Sequence, residues 1–123
     1  MTLAKSVMVV DDSEAIRKFL TFALRSQGVT VVAVRDGMEA LEKLSQNKVD
    51  LVVTDLNMPN MDGFEFLKTL REDKEYSQVP VIILTSLSSK QDIETGMKLG
   101  ANSFLVKPFD QKRLQYELAK YLD

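Results

Sequence analysis

The 123-residue sequence contains no cysteine and no histidine. Without cysteine the chain cannot form disulfides or use thiol chemistry, and a reducing compartment suits it. Without histidine it has no imidazole metal ligand, no histidine general base and no phosphohistidine of its own. Any metal that it binds must therefore be a hard ion held by oxygen atoms, such as Mg²⁺.

Long apolar runs and a strong net charge are also missing. No hydrophobic stretch approaches the length of a membrane span, and the segment before Asp11 is too short for a signal peptide, so we expect a cytoplasmic protein without membrane insertion. The net charge of −2 argues against a nucleic-acid binder. Because the sequence has no repeats and no linker, residues 1–123 should form one domain. We also expect a monomer. The initial methionine favours a complete protein.

Two hydrophobic periodicities alternate along the chain. Short apolar or β-branched runs predict strands at Ser6–Val10, Val29–Val34, Val49–Thr54, Pro80–Leu84 and Ser103–Val106. After each run apolar residues recur at helical spacing, as in Ile16, Leu20 and Leu24, or Leu114, Leu118 and Leu122. Strands that are apolar on both faces need helices on both faces. The pattern predicts an α/β fold, a doubly wound five-stranded parallel sheet with five helices. Two strand orders are plausible for such a sheet, and the count of five strands favours the flavodoxin-like order 2-1-3-4-5.

Local signals mark several boundaries. Asp12 or Ser13 can cap the first helix, and Gly28 can end it. The charged run 71–75 reads as a solvated helix end, and Gly63 reads as a residue that only shapes a loop. Gly96 lies within the weak fourth helix, where it either loosens the helix or permits close packing.

Polar residues follow or end four of the predicted strands. They are Asp11 and Asp12 after the first, Asp55 after the third, Thr85 and Ser86 after the fourth, and Lys107 after the fifth. The carboxyl ends of parallel strands share one edge of the sheet, where ligands bind in such folds. We therefore expect residues almost a hundred positions apart to meet in one pocket.

The residue types in this pocket suit phosphoryl chemistry. Three crowded carboxylates favour a raised pKa or a bound cation, and carboxylate oxygens suit Mg²⁺. Lys107 adds a cation and Thr85 a hydroxyl. A carboxylate nucleophile, a divalent ion, a lysine and a hydroxyl are the components of aspartyl-phosphate chemistry, with Asp55 as the nucleophile.

Five short motifs resemble the response-regulator receiver domain of two-component signalling, of the single-domain chemotaxis type. They are VVDDS at 9–13, VTDLNMP at 53–59, MDG at 61–63, LTS at 84–86 and VKPF at 106–109. Each motif alone is weak, but five in order at strand ends are specific, and the resemblance covers almost the whole chain.

The resemblance implies a role for each site residue. Asp12 and Asp55 would ligate Mg²⁺ through their side chains, Asp11 would act nearby through water, and Asn57 would offer its backbone carbonyl. A histidine kinase would phosphorylate Asp55, and Lys107, Thr85 and Ser86 would contact the phosphoryl group. The Lys107–Pro108 bond matches one that is cis in such domains.

Two positions depart from the commonest residues of the chemotaxis members. Phe104 stands where the family carries a rotating switch aromatic, often tyrosine, so output cannot use a hydroxyl on that ring. Leu87 stands where polar residues often occur, beside the path by which water would reach the phosphoryl group. We expect this apolar side chain to slow hydrolysis.

The resulting interpretation is a phosphorylation-dependent switch and not an ordinary enzyme. It would bind a downstream protein, such as a flagellar motor switch, through the face of the fourth helix, fifth strand and fifth helix. A phosphorelay shuttle is the close alternative. An aspartyl-phosphate phosphatase of the haloacid-dehalogenase type fits less well, since its second aspartate falls two positions after the nucleophile, whereas Asp12 and Ser13 follow Asp11. A receiver-like binding module without phosphorylation would not need the full set of polar residues.

Overall fold

The computed structural model describes residues 5–86 and 90–122, within which strands and helices alternate. The strands are β1 (Ser6–Val10), β2 (Thr30–Val34), β3 (Leu51–Asp55), β4 (Val81–Thr85) and β5 (Ser103–Val106). The helices are α1 (Glu14–Arg25), α2 (Gly37–Leu44), α3 (Gly63–Glu72), α4 (Lys90–Lys98) and α5 (Gln111–Leu122). In these two ranges no helix is both long enough and apolar enough to cross a membrane.

All strand pairs are parallel, and the sheet order is β2-β1-β3-β4-β5. The predicted doubly wound, flavodoxin-like sheet is confirmed. Alternate residues of each central strand point to opposite faces, so that Met8 and Val52 pack towards α2 and α3, while Val9 and Val53 pack towards α1 and α5. Both faces are therefore buried, which explains why the strands read as continuous apolar runs.

The strand ends differ from the predictions by one or two residues, and the differences matter for the site. β3 begins at Leu51 and not at Val49, and it continues to Asp55, which pairs with Leu84. β4 continues to Thr85, which pairs with Val106. Both polar residues are thus held by the ladder on one side, Asp55 by β4 and Thr85 by β5.

The ends of α1 are also more sharply defined than the sequence indicated. Ser13, and not Asp12, caps the helix, since its hydroxyl oxygen accepts the Ile16 backbone N–H at 3.3 Å. The helix ends at Arg25 with Ser26 as its C-cap, so the prediction that Gly28 ends it is wrong by three residues. Gly28 instead forms the turn into β2 with a φ of 82°.

The prediction that 71–75 is merely a solvated helix end is wrong for Arg71. Its guanidinium donates to the carbonyl of Gly100 at 2.9 and 3.0 Å and to the carbonyl of Val79 at 2.7 Å. A further hydrogen bond of 3.0 Å reaches the Asn102 side-chain oxygen. Arg71 therefore ties the end of α3 to the segments that enter β4 and β5, a long-range role that a local charge pattern does not reveal.

Replacing Arg71 with alanine should lower the free energy of unfolding by about 2–3 kcal/mol, because several carbonyls lose a charged donor. Lys68→Ala is a matched control, since Lys68 is an exposed cation on the same helix. It should change stability by less than about 0.5 kcal/mol. Urea unfolding measures both, and equal stabilities of the two variants would contradict the structural role of Arg71.

Candidate functional site

Three carboxylates meet at the carboxyl edge of the sheet. β1 and β3 are neighbours in the register Val10 to Thr54, so the next residue of each strand path, Asp11 and Asp55, lies beside the other at the carboxyl edge. One oxygen each of Asp11, Asp12 and Asp55 lies within 4.8 Å of the others. Asp11 and Asp55 are buried, whereas Asp12 is exposed. The sequence-based expectation that these residues converge is correct.

Lys107 supplies the cation that faces them. Its Nζ lies 3.1 Å from Asp11 Oδ2 and 3.6 Å from Asp55 Oδ1. The residue directly follows β5, and its backbone N–H donates to the Thr85 carbonyl at 2.7 Å, which fixes where the side chain starts. The following bond to Pro108 is cis, as the family resemblance implied.

Backbone groups orient the two buried carboxylates. The Ser13 N–H donates to Asp11 Oδ1 at 2.9 Å, and the Leu56 N–H donates to Asp55 Oδ1 at 2.9 Å. Asp55 Oδ2 makes no hydrogen bond to the part of the chain that the structure describes. The carboxylate is therefore held by one oxygen while the other remains available to a reactant.

Burial raises the pKa of Asp55 above its ordinary value, and the negative charges of Asp11 and Asp12 add to this effect. Lys107 and the Leu56 N–H act in the opposite direction without cancelling it. An ionised Asp55 is thus unfavourable here unless further positive charge is near. The ligands on offer are oxygen atoms, in a chain with neither imidazole nor thiolate. This donor set fits Mg²⁺.

The remaining predicted site residues lie around this cluster. Thr85 is buried as the last residue of β4, and Ser86 is exposed immediately after it. Asn57 is exposed, two residues beyond Asp55. Leu87 lies outside the described residues.

Phe104, the predicted switch aromatic, is partly buried on β5 and packs against α4. A Cβ added to Gly96 would lie only 2.4 Å from the Phe104 Cζ. The ring thus occupies the space that a side chain at position 96 would fill. Of the two explanations of Gly96 left open by the sequence, this contact supports close packing.

Two supporting residues were missed by sequence reasoning. Gly63 approaches the strand end so closely that a Cβ would lie 2.4 Å from the Asp55 carbonyl oxygen, so it does more than shape the loop. Arg17 donates to the Asp11 carbonyl at 2.8 Å. The place of Gly63 directly after a polar loop could have indicated its close approach to the strand end. Nothing in the sequence, in contrast, distinguishes Arg17 from the neighbouring Lys18.

Comparison with known proteins agrees with this geometry. Residues 7–119 match the family described as the response regulator receiver domain. A probable transcriptional regulator ycf27 of Guillardia theta is 40% identical over 118 residues, which are 96% of this chain but 45% of that protein. The match to the ycf27 protein of Porphyridium aerugineum covers 48% of that protein. The chain therefore spans about half the length of the curated relatives it matches.

Solved structures show the same fold over the whole length. The chemotaxis protein CheY4 of Vibrio cholerae is 37% identical, with a TM-score of 0.93 over 98% of this chain and 100% of that one. The receiver domain of a sensor histidine kinase from Pseudomonas aeruginosa PAO1 is 28% identical, with a TM-score of 0.89 over 98% of both chains. That structure is described with a magnesium ion coordinated in its active site cleft. The chain belongs to the response regulator receiver domain family, the phosphorylation-dependent switches of two-component signalling.

Proposed function

We propose that Asp55 accepts a phosphoryl group from the phosphohistidine of a histidine kinase in a Mg²⁺-dependent reaction. The observation that carries the proposal is the convergence of Asp55 with Asp11 and Asp12, within 4.8 Å, opposite a single ammonium group. A buried carboxylate with one free oxygen, next to a lysine, is arranged to act as a nucleophile towards an anionic donor.

In the proposed transfer an oxygen of ionised Asp55 forms a bond to phosphorus while the phosphorus–nitrogen bond of the donor breaks. The electron pair of the broken bond stays on the imidazole nitrogen, which takes up a proton from solvent. Lys107 can turn from Asp55 Oδ1 to a phosphoryl oxygen, since its Nζ already lies 3.6 Å from the attacking group. The hydroxyls of Thr85 and Ser86, at the end of β4, are the donors for the remaining phosphoryl oxygens.

The groups that would hold Mg²⁺ are the side chains of Asp12 and Asp55, the Asn57 backbone carbonyl and Asp11 through water. When bound, the ion offsets the crowded negative charge and polarises the phosphoryl oxygens. The magnesium ion described for the Pseudomonas aeruginosa receiver supports this assignment.

We further propose that output is binding of a partner protein through the face formed by α4, β5 and α5. Exposed apolar side chains occur on each of these elements: Met97, Val106 and Tyr116. Phe104 is partly buried on β5, three residues before Lys107, and packs against Gly96 of α4. A change at the phosphoryl group can therefore reach this face through a short segment of chain.

The likeness to CheY4 favours a cytoplasmic chemotaxis regulator that binds a flagellar motor switch. The likeness to transcriptional regulators of twice the length favours a receiver that controls a DNA-binding partner. The affinity of the phosphorylated chain for the motor switch protein of its own organism separates the two. A phosphorelay shuttle would instead pass the group on to a second histidine.

With Mg²⁺ and acetyl phosphate, intact-mass spectrometry should show one added phosphoryl group on the wild-type chain and none on Asp55→Asn. Asp50→Asn is a matched control, because Asp50 precedes the same strand at its opposite end, where it accepts the Ser6 N–H at 2.8 Å. It should be phosphorylated like the wild type, and EDTA should prevent phosphorylation of both. Unchanged phosphorylation of Asp55→Asn would contradict the proposal, and rapid release of phosphate would indicate a phosphatase.

In EDTA at pH 7, Asp55→Asn should melt at a higher temperature than the wild type, because asparagine removes one of the crowded negative charges. Because the pKa of Asp55 is raised in the folded state, stability falls as pH rises from the ordinary carboxyl pKa through the raised one. Asparagine at position 55 avoids this loss, so the difference in melting temperature between the variant and the wild type should shrink as the pH is lowered. Calorimetry across pH measures it, and a difference that grows towards acid would contradict the raised pKa.

Gly96→Ala should cost about 1–3 kcal/mol, because the new methyl group must displace the Phe104 ring. Amide NMR signals around Phe104 and α4 should shift before phosphorylation and change less on phosphorylation than in the wild type. The double variant Gly96→Ala, Phe104→Leu should recover most of the stability, and Glu94→Ala, on the exposed surface of α4, should leave the signals of β5 in place. Wild-type stability of Gly96→Ala would contradict this packing.

A further inference from the structure

Residues 57–62, which belong to the loop between β3 and α3, are anchored to a neighbouring unit of the fold. The Asn60 side-chain amide donates to Asp36 Oδ2 at 3.0 Å. Asp36 is the N-cap of α2, and its other oxygen, Oδ1, accepts the Glu39 backbone N–H at 2.9 Å. One carboxylate thus begins α2 and holds the loop that follows Asp55.

The backbone of the loop is constrained at the same point. Asn60 has a φ of 69°, the only left-handed residue other than glycine among the described residues. The Met61 N–H donates to the Pro59 carbonyl at 2.7 Å, which closes a tight three-residue turn around Asn60. This conformation is costly for a residue with a Cβ, and it persists where its surroundings enforce it.

Met61 supplies a second contact between the loop and α2. A Cβ on Gly37, the first residue of α2, would lie 2.9 Å from Met61 Cγ. The Met61 side chain therefore packs directly on the helix start, and the partly buried Met61 continues into the core cluster. The polar contact at Asn60 and the apolar contact at Met61 fix adjacent residues against the same helix end.

The other end of the loop is closed on the strand that carries Asp55. The Gly63 N–H donates to the Leu56 carbonyl at 2.8 Å, and Gly63 lies against the Asp55 carbonyl. The loop is thus closed at its base and anchored to α2 near its tip. Asn57 lies between the base and the anchor.

We propose that Asp36 and Asn60 form a positioning pair that holds loop 57–62 in place and thereby sets the affinity of the site for Mg²⁺. This inference rests on the proposed function, in which the Asn57 carbonyl is a metal ligand. Partners that orient a ligand from behind contribute strongly to metal affinity. The pair touches neither the metal carboxylates nor the phosphoryl acceptor, so its loss should weaken metal binding and leave the chemistry at saturating metal unchanged.

Because the side chains of Asp36 and Asn60 are partly exposed, their effect on metal binding can be measured separately from any effect on the stability of the fold. Asn60 is exposed and Asp36 half-buried, so their hydrogen bond contributes little to stability. The bond from the Glu39 N–H to Oδ1 that caps α2 does not involve Asn60, so the cap should survive when Asn60 is changed. A substitution at position 60 can therefore test the loop without unfolding the helix.

The test is a titration with MgCl₂ followed by amide NMR. Asn60→Gly keeps the left-handed backbone but loses the amide, and the dissociation constant for Mg²⁺ should rise about three- to fivefold, which is what one partly exposed hydrogen bond can contribute. Asn60→Asp should also weaken binding despite its added negative charge, because it sets a second carboxylate against Asp36. Combining Asn60→Asp with Asp36→Asn exchanges donor and acceptor and should return the affinity to within about twofold of the wild type.

Asn47→Asp is the matched control. Asn47 is an exposed asparagine at the other end of α2, where its amide donates to the Lys43 carbonyl at 2.8 Å, and the substitution adds the same charge far from the loop. Its affinity for Mg²⁺ should remain that of the wild type. The rate of phosphorylation by acetyl phosphate at saturating Mg²⁺ should stay within about twofold of the wild type in every variant, since Asp55, Lys107 and Thr85 are unchanged.

The outcomes distinguish the positioning role of Asp36 and Asn60 from the proposed function on which it rests. Equal Mg²⁺ affinity of Asn60→Gly and the wild type, or failure of the exchanged pair to restore binding, would overturn the positioning role while leaving the proposed function intact. A wild-type chain that gives no response to Mg²⁺ and no phosphorylation would overturn the proposed function and the positioning role together.

Discussion

The contact of Lys107 with Asp11 and Asp55 is the interaction on which the rest of the site depends. Like charges that share a buried position destabilise each other, and burial makes the repulsion stronger. Three carboxylates here face one ammonium group, 3.1 and 3.6 Å from two of them. The folded protein therefore holds a local excess of negative charge that an added cation can relieve. The strand order produces this arrangement, because β1 and β3 are neighbours and β5 ends on the same edge.

Much of this could be predicted from the sequence, since the strands and the polar residues at their ends are local patterns. The alternation of apolar runs and helical spacing was sufficient for the fold class, and the number of strands favoured the correct one of two plausible strand orders. The common edge of a parallel sheet was sufficient to bring Asp11, Asp55 and Lys107 together. These inferences succeed because each needs only a segment type and its order in the chain.

Contacts between distant segments account for what the sequence did not reveal. Arg71 resembles the charged residues that follow it, and only the fold brings Val79 and Gly100 within reach of its guanidinium. Gly63 and Gly96 look like loop and helix defects until the Asp55 carbonyl and the Phe104 ring are placed against them. The bond between Asp36 and Asn60 joins residues 24 positions apart, and neither residue has a local feature that predicts the other.

Close packing on both sides of Asp55 explains how a small chemical change could have a larger structural effect. Gly63 lies against the Asp55 carbonyl on one side, so the strand end cannot move without moving α3 or the loop. On the other side Lys107 is only three residues from Phe104, whose ring fills the space beside Gly96 on α4. Well-packed contacts of this kind shift between discrete arrangements and do not deform gradually. A phosphoryl group that draws Lys107 away from Asp11 would act three residues from Phe104, and because the Phe104 ring already fills the space beside Gly96, a displacement of that ring would require α4 to shift as well.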